Sequence, residues 1–323
     1  MFRLATLLLC VMTVSACGAG LSEPLVFTGM CAASAAVALA KDLFVVASDE
    51  DNILRFYRPS RPGKPIYQYD LRTVLSTREK SPEADLEGAA RLGQRVFFIS
   101  SHGRNAKGKF APNRHFFFAL EFTQQEGEIR VQPVGKPYMN LVADLAHDPK
   151  YARFRLAEAA QRAPESAGGF NIEALTDTPE STLLIGFRSP IPERRALLVP
   201  WLNPNEVITG QPPRFGDPIL LDLGGLGLRD MSPAARGYYL LAGPDHGHAE
   251  SRLFSWEGGS SVPRAVTGVQ FPKINPEGIF FLDVDGRSDF LILSDDGSRK
   301  LKGKECKSLP ESERQFRAYR FTP

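Results

Sequence analysis

The chain alternates short apolar runs with polar turn segments, and the runs recur in sets. Residues 85–122, DLEGAARLGQRVFFISSHGRNAKGKFAPNRHFFFALEF, show one set most clearly. Leu86 to Leu92 has strand length, Gly93-Gln94 supplies a turn, and Arg95 to Ser101 carries the β-rich run VFFIS. A two-residue turn containing Gly predicts an antiparallel hairpin. The start of the first strand then lies beside the end of the second, which brings Asp85 and Glu87 near Ser101, His102 and Arg104. A polar loop follows, then HFFFALEF, a third run of strand length.

Four further copies align with this one. First strands are MCAASAAVAL (30–39), DLEGAARL (85–92), FNIEALTD (170–177), LGLRDMSP (226–233) and NPEGIFFL (275–282). Second strands follow as LFVVASDED, VFFISSHG, TLLIGFRS, YYLLAGPDHG and FLILSDDG, and third strands as ILRFYR, HFFFALEF, RALLVPWL, SRLFSW and RAYRF. Fourth strands are weaker: KPIYQYDL (64–71), EIRVQPV (128–134), DPILLDL (217–223) and VPRAVTG (262–268). The fifth copy lacks one, and EPLVFTG (23–29) stands unassigned before the first copy. A strand lent by the N-terminal segment would close a ring, the way propellers hide their edge strands. The expectation is an all-β, five-bladed β-propeller spanning 23–323, with six blades left open by the long interval between Glu87 and Glu173. That interval holds MNLVADLAHDPKYARFRLAEAAQ (139–161), whose spacing and helix formers predict a helical insert over about 137–165. Strand alternation puts this insert, the loop 102–114 and the basic loop 298–313 on one face, the top.

Composition changes this picture little. Charge is nearly balanced at +2 with 24% charged residues, which gives no footprint for nucleic acid or a polybasic membrane contact. The N-terminus matters more. Arg3 followed by the apolar run Leu4 to Val14 reads as a secretory signal over 1–16. Val14-Ser15-Ala16-Cys17 resembles the lipobox of bacterial lipoproteins, which implies lipidation of Cys17 and a short anchored linker over 17–22. Gly18, by the same resemblance, implies sorting to the outer membrane, facing the periplasm; ordinary cleavage near Ala16 and secretion is the alternative. Cys31 and Cys306 then remain, at the start of blade one and in the top loop of blade five. A disulfide there would clasp the ring closure; two unpaired thiols are the alternative.

First strands line a propeller's channel, so their first residues and the last residues of second strands converge at its top. These are Asp85, Glu87 and His102 in blade two; Asn171, Glu173 and Arg188 in blade three; Arg229, Asp230, Asp245 and His246 in blade four. Blade five offers Asn275, Glu277, Asp295 and Asp296, and blade one Ser34, Asp49 and Asp51. Converging carboxylates repel unless a cation sits among them. A hard metal such as Ca²⁺ would suit their oxygens, held by Glu87, Glu173 and Glu277 with help from Asn171, Asn275 and Asp230. Neutralisation by Arg188, Arg229 and Arg104, a plug of ion pairs, is the rival filler. PDHGHAE (244–250) pairs His246 with His248 at alternate positions, but a zinc site's third ligand is not evident. DVDGRSD (283–289) lacks the Gly and the closing Glu of a calcium loop and reads as a turn. Glycine-flanked serine, zinc-protease, phosphate-loop and Cys-x-x-Cys motifs are absent.

The ordered set DLEGAA, FFISSHGRN, FNIEAL, LLIGFRSP, YLLAGPDHG and NPEGI resembles a bacterial family known as domain of unknown function 3616, over roughly residues 30–321. The resemblance implies a secreted or envelope propeller without an assigned activity. More distantly the Glu-Gly openings are similar to those of phytase-like esterase propellers. Ser34 and Arg229-Asp230 depart from that Glu pattern, which argues against a symmetric metal ring. The function expected from all this is divalent-metal-dependent hydrolysis of a phosphate ester or lactone at the top of the channel. Arg188 and Arg229 would bind an anionic group, and His102 or His246 would move the proton. The alternative is a non-catalytic envelope module that binds a small anionic ligand or another envelope protein. A monomer is expected.

Overall fold

The computed structural model describes residues 20–77, 83–247, 250–284 and 287–323. The expected signal, the lipidation site Cys17, and His248 lie outside these residues. Strand β1 (Leu25–Thr28) belongs to the last blade. Blade one is β2 (Ala35–Ala40), β3 (Leu43–Ala47), β4 (Ile53–Tyr57) and β5 (Tyr67–Asp70). Blade two is β6 (Leu86–Leu92), β7 (Arg95–Ser100), β8 (Phe117–Gln125) and β9 (Glu128–Tyr138). Helices α1 (Leu141–His147) and α2 (Leu156–Ala159) follow. Blade three is β10 (Asn171–Asp177), β11 (Leu183–Ser189), β12 (Ala196–Trp201) and, after helix α3 (Pro204–Val207), β13 (Ile219–Leu221). Blade four is β14 (Gly227–Pro233), β15 (Tyr238–Gly243), β16 (Arg252–Trp256) and β17 (Arg264–Ala265). Blade five is β18 (Pro276–Val284), β19 (Arg287–Ser294) and, past the hairpin β20 (Lys300–Leu301) and β21 (Lys304–Glu305), β22 (Gln315–Phe321).

Every blade is an antiparallel sheet in the order inner to outer, and β1 completes blade five by pairing with β22, Leu25 opposite Ala318 and Thr28 opposite Gln315. The inner strands β2, β6, β10, β14 and β18 neighbour one another in that order, and β18 returns to β2. The ring therefore has five blades. Cys31 and Cys306 form a disulfide, with an S–S distance of 2.04 Å, that joins the entrance of blade one to the last loop of blade five.

The apolar runs lack polar alternation because both faces of each blade are buried. Successive residues serve opposite interfaces. Phe97 and Phe117 pack between blades two and three, whereas Phe98 and Phe118 pack between blades one and two. Trp201 and Trp256 are likewise core residues. Five apolar clusters result, one for each pair of neighbouring blades. The Glu-Gly openings serve the same packing. A Cβ on Gly88 would sit 2.8 Å from the Leu175 Cβ of the next blade, so the glycine admits a neighbour rather than a ligand.

The insert is less continuous than its spacing predicts. Asp148 is extended and Pro149 opens a separate 3-10 turn, because proline lacks the N–H and disfavours helix in the residue before it. Arg155 then takes a left-handed φ of 52° before α2. Leu141, Leu145, Tyr151 and Leu156 bury against the interface of blades two and three. Chain direction also fixes where the first described residues lie. Leu21 bridges to Phe321, at the bottom end of β22, so the chain joins blade five from the face opposite the channel's top.

Candidate functional site at the channel mouth

Four inner strands break register with their second strand at the same point. The pairing skips Glu87 in β6, Glu173 in β10, Arg229 in β14 and Glu277 in β18. Each is the extra residue of a β-bulge, which leaves the ladder and re-aims its side chain. In β11 the register also skips Arg188. Blade one has Ser34 at the matching place, and its hydroxyl donates to Leu86 O at 2.5 Å. The bulges explain why these side chains face the channel although their neighbours face the blade interfaces.

On the side of blades three to five, Glu173 and Glu277 are matched by arginines, while Asp295 accepts from Asn275 Nδ2 at 3.2 Å and from the Gly297 N–H at 2.7 Å. Glu173 accepts from Asn171 Nδ2 at 2.7 Å and from Arg188 Nη1 at 3.0 Å, and its other oxygen lies 3.1 Å from Arg229 Nε. Arg229 also donates to Glu277, which accepts from Asn275 Nδ2 at 2.9 Å. One arginine thus joins the carboxylates of blades three and five, and the Glu-to-Arg departure in the fourth copy is what makes this possible. Asp230 stands outside the group. Its oxygens accept the backbone N–H of Met231 at 2.8 Å and of Ile279 at 2.7 Å, fastening blade four to blade five.

On the side of blades one and two, charges are not matched. Asp49, Asp85 and Glu87 each bring an oxygen within 4.8 Å of the others. Asp85 has partners: Arg114 donates at 2.9 Å and the Ser101 hydroxyl also donates to it. Asp49 and Glu87 form no ion pair among the described residues. Burial, followed by the neighbouring carboxylates, pushes both carboxyls well above the usual range. Burial raises Asp85 to about 6 against the pull of Arg114. Asp49 Oδ1 and Asn171 Oδ1 are buried oxygens with no hydrogen-bond donor. Asp49, Asp85, Glu87, Arg114 and Asn171 line a cavity of about 1180 Å³ that opens at the mouth and extends over blade four to residues 265–274.

The remaining candidates are dispersed. His102 is 1% exposed and does not line the cavity; its ring stands edge-on to His115, 5.4 Å between centroids. Burial pushes both imidazoles down, His115 to about 4 and His102 well below the usual value. His246 is exposed at the rim with Nδ1 2.8 Å from Asp245, between the cavity-lining Pro244 and Gly247. Arg104 does not neutralise the mouth as the sequence suggests. It ties the loop after β7 to the insert, donating to Ala160 O at 3.0 Å and Gly108 O at 3.1 Å. Arg114 takes that place, and sequence reasoning missed it. The signal was available in outline: Arg114 sits immediately before the third strand, and its carbonyl accepts from His102 N at 2.8 Å, level with the carboxylates.

Comparison with known proteins bears on the family. The family model described as "Protein of unknown function (DUF3616)" matches residues 123–289, just over half of the 323 residues. The chain belongs to this family. The match takes in blade three, blade four and most of the first hairpin of blade five, with FNIEAL, LLIGFRSP, YLLAGPDHG and NPEGI. No curated protein matches. Among solved structures, the chain is similar to the glutaminyl cyclase of Myxococcus xanthus at 10% identity, with 94% of this chain and 98% of that one covered and a TM-score of 0.47. It is also similar to the sialidase of Trypanosoma rangeli at 7% identity, covering 82% of this chain but 43% of that one, TM-score 0.45. A gluconolactonase of Xanthomonas campestris gives 14% identity, 88% and 78% coverage, and a TM-score of 0.40.

Proposed function

We propose that Asp49, Asp85 and Glu87 hold a divalent cation, with calcium suited to so hard an oxygen set, and that the protein uses it to hydrolyse a small phosphate ester or lactone. The observation that carries this reading is the pair of buried oxygens without donors, Asp49 Oδ1 and Asn171 Oδ1, beside three clustered carboxyls. A bare cluster would be balanced by lysine or arginine, as it is across the channel, whereas a cation supplies what orphaned oxygens lack. When bound, the cation would polarise the scissile ester and favour ionisation of water. Arg188, held by Glu173 and by Pro244 O at 2.9 Å, presents its guanidinium to the cavity and would orient an anionic group. His246 is the imidazole at the rim and would serve as proton carrier.

A second reading, a binding module without turnover, draws on the burial of His102 away from the cavity. One experiment separates the two. Hydrolysis of p-nitrophenyl phosphate and of a panel of lactones is measured with calcium and with chelator, for the protein and for Glu87→Gln. Calcium-dependent turnover lost in Glu87→Gln supports the hydrolase. Calcium binding without turnover on any substrate supports the module. Turnover untouched by chelator contradicts the cation's role.

A lipid on Cys17 would tether the bottom face, where Leu21 enters, and would hold the mouth away from the membrane.

A further inference from the structure

The opposite end of the channel has a different character. A cavity of about 520 Å³ opens there, lined by the lower halves of inner strands from all five blades. Its walls are mostly apolar. Ala36, Ala38, Ala89 and Ala90 from blades one and two face Met231 from blade four and Phe281 from blade five. Phe281 is 36% exposed, a large apolar ring left open to this space. The void follows from the sequence. The inner strand AAVALA of blade one and the AA of blade two put alanine where leucine or valine would fill the channel. The cores beside them show the contrast, with leucine, phenylalanine and tryptophan at comparable depth.

Charge indicates what the space accepts. Its rim carries two carboxylates, Asp177 and Asp283, and two cations, Lys41 and Arg91. Arg91 is occupied, donating to Leu39 O at 2.7 Å and Gly93 O at 2.9 Å. The rim therefore favours neither sign. Thr176, on the wall from blade three, is 1% exposed and its hydroxyl has no hydrogen-bond partner. An apolar space of this size with a few polar groups is the usual form of a small-molecule site, about 300–1,000 Å³.

We propose that the bottom of the channel is a second binding site, for a small uncharged molecule with an apolar body and one hydrogen-bonding group. It is independent of the mouth: the two cavities share no lining residue. The test uses 1-naphthol, titrated calorimetrically into the protein. Saturable one-site binding is expected, weakened about tenfold or more when Ala38→Leu fills the space. Ala235→Leu, on an exposed part of the same wall, gives the same loss without touching the blade core. Glu87→Gln and added chelator leave the affinity unchanged. No saturable heat up to millimolar naphthol overturns the proposal. So does binding that ignores both leucine variants, or binding that responds to Glu87→Gln.

Discussion

The two sides of the channel mouth use the same strand geometry to opposite ends. Toward blades three to five, bulged Glu173 and Glu277 share the bulged Arg229, and Arg188 completes the network. Toward blades one and two, bulged Glu87 meets Asp49 and Asp85, and Arg114 is turned to Asp85 and Glu83, which leaves Asp49 and Glu87 without an ion pair among the described residues. At the bulge position the matched side has arginine in the fourth copy, supported by Arg188, where the first copy has serine. The difference shows what a repeat can do with one position. With matched charge it is a strut between blades, and with unmatched charge it is a cluster of carboxyls that burial pushes toward the neutral form.

Breaking the matched side has the largest expected effect. Arg229→Met leaves buried Glu173 and part-buried Glu277 without their shared cation, a loss of about 3–5 kcal/mol when one partner of a buried pair is removed. Urea unfolding would register it as a lower midpoint at unchanged slope. An unshifted midpoint would mean that the network contributes nothing to folding.

The unmatched side is expected to respond in the opposite direction, and with pH. Folded-state pKa values of Asp49, Asp85 and Glu87 are raised, so the stability they contribute is present below the ordinary carboxyl range. It is lost as pH rises through the folded values, about 6 for Asp85 and higher for its neighbours. His102 and His115 work against this trend. Their lowered values withdraw stability as pH falls below the 6.5 of a free imidazole. Above pH 6.5 the raised carboxyls remain, Asp230 and Asp295 adding to those of the unmatched side, and thermal midpoints in chelator should fall as pH rises. Glu87→Gln should flatten that fall and raise the midpoint at pH 8. A fall of equal size in the variant would place the titrating groups elsewhere.

Much of the fold was legible because burial on both faces gives each strand an unbroken apolar run, as in LFVVA and VFFIS. The closing strand was legible for the complementary reason that blade five lacked one and residues 23–29 had no partner. The break in the insert was written in Pro149 but is a matter of backbone geometry, not spacing. The site was legible as a list and not as an arrangement. Residues of the mouth could be named from strand alternation, Asp49 and Asp85 among them, but not sorted into those that meet arginine and those that do not. Sorting them requires the bulges, which appear only when strands are paired. It also requires Arg114, which reaches the mouth from a loop. Asp230 illustrates the limit: one residue past the bulge, it turns from the channel to the backbone of the next blade.

The most direct measurement is a calorimetric titration of calcium into the metal-stripped protein at pH 7.5, repeated for Glu87→Gln and for Glu277→Gln. The account predicts about one equivalent bound, lost in Glu87→Gln and retained in Glu277→Gln, whose side chain already has Arg229 and Asn275. Calcium heat absent from the unaltered protein, or abolished by Glu277→Gln and indifferent to Glu87→Gln, would contradict it.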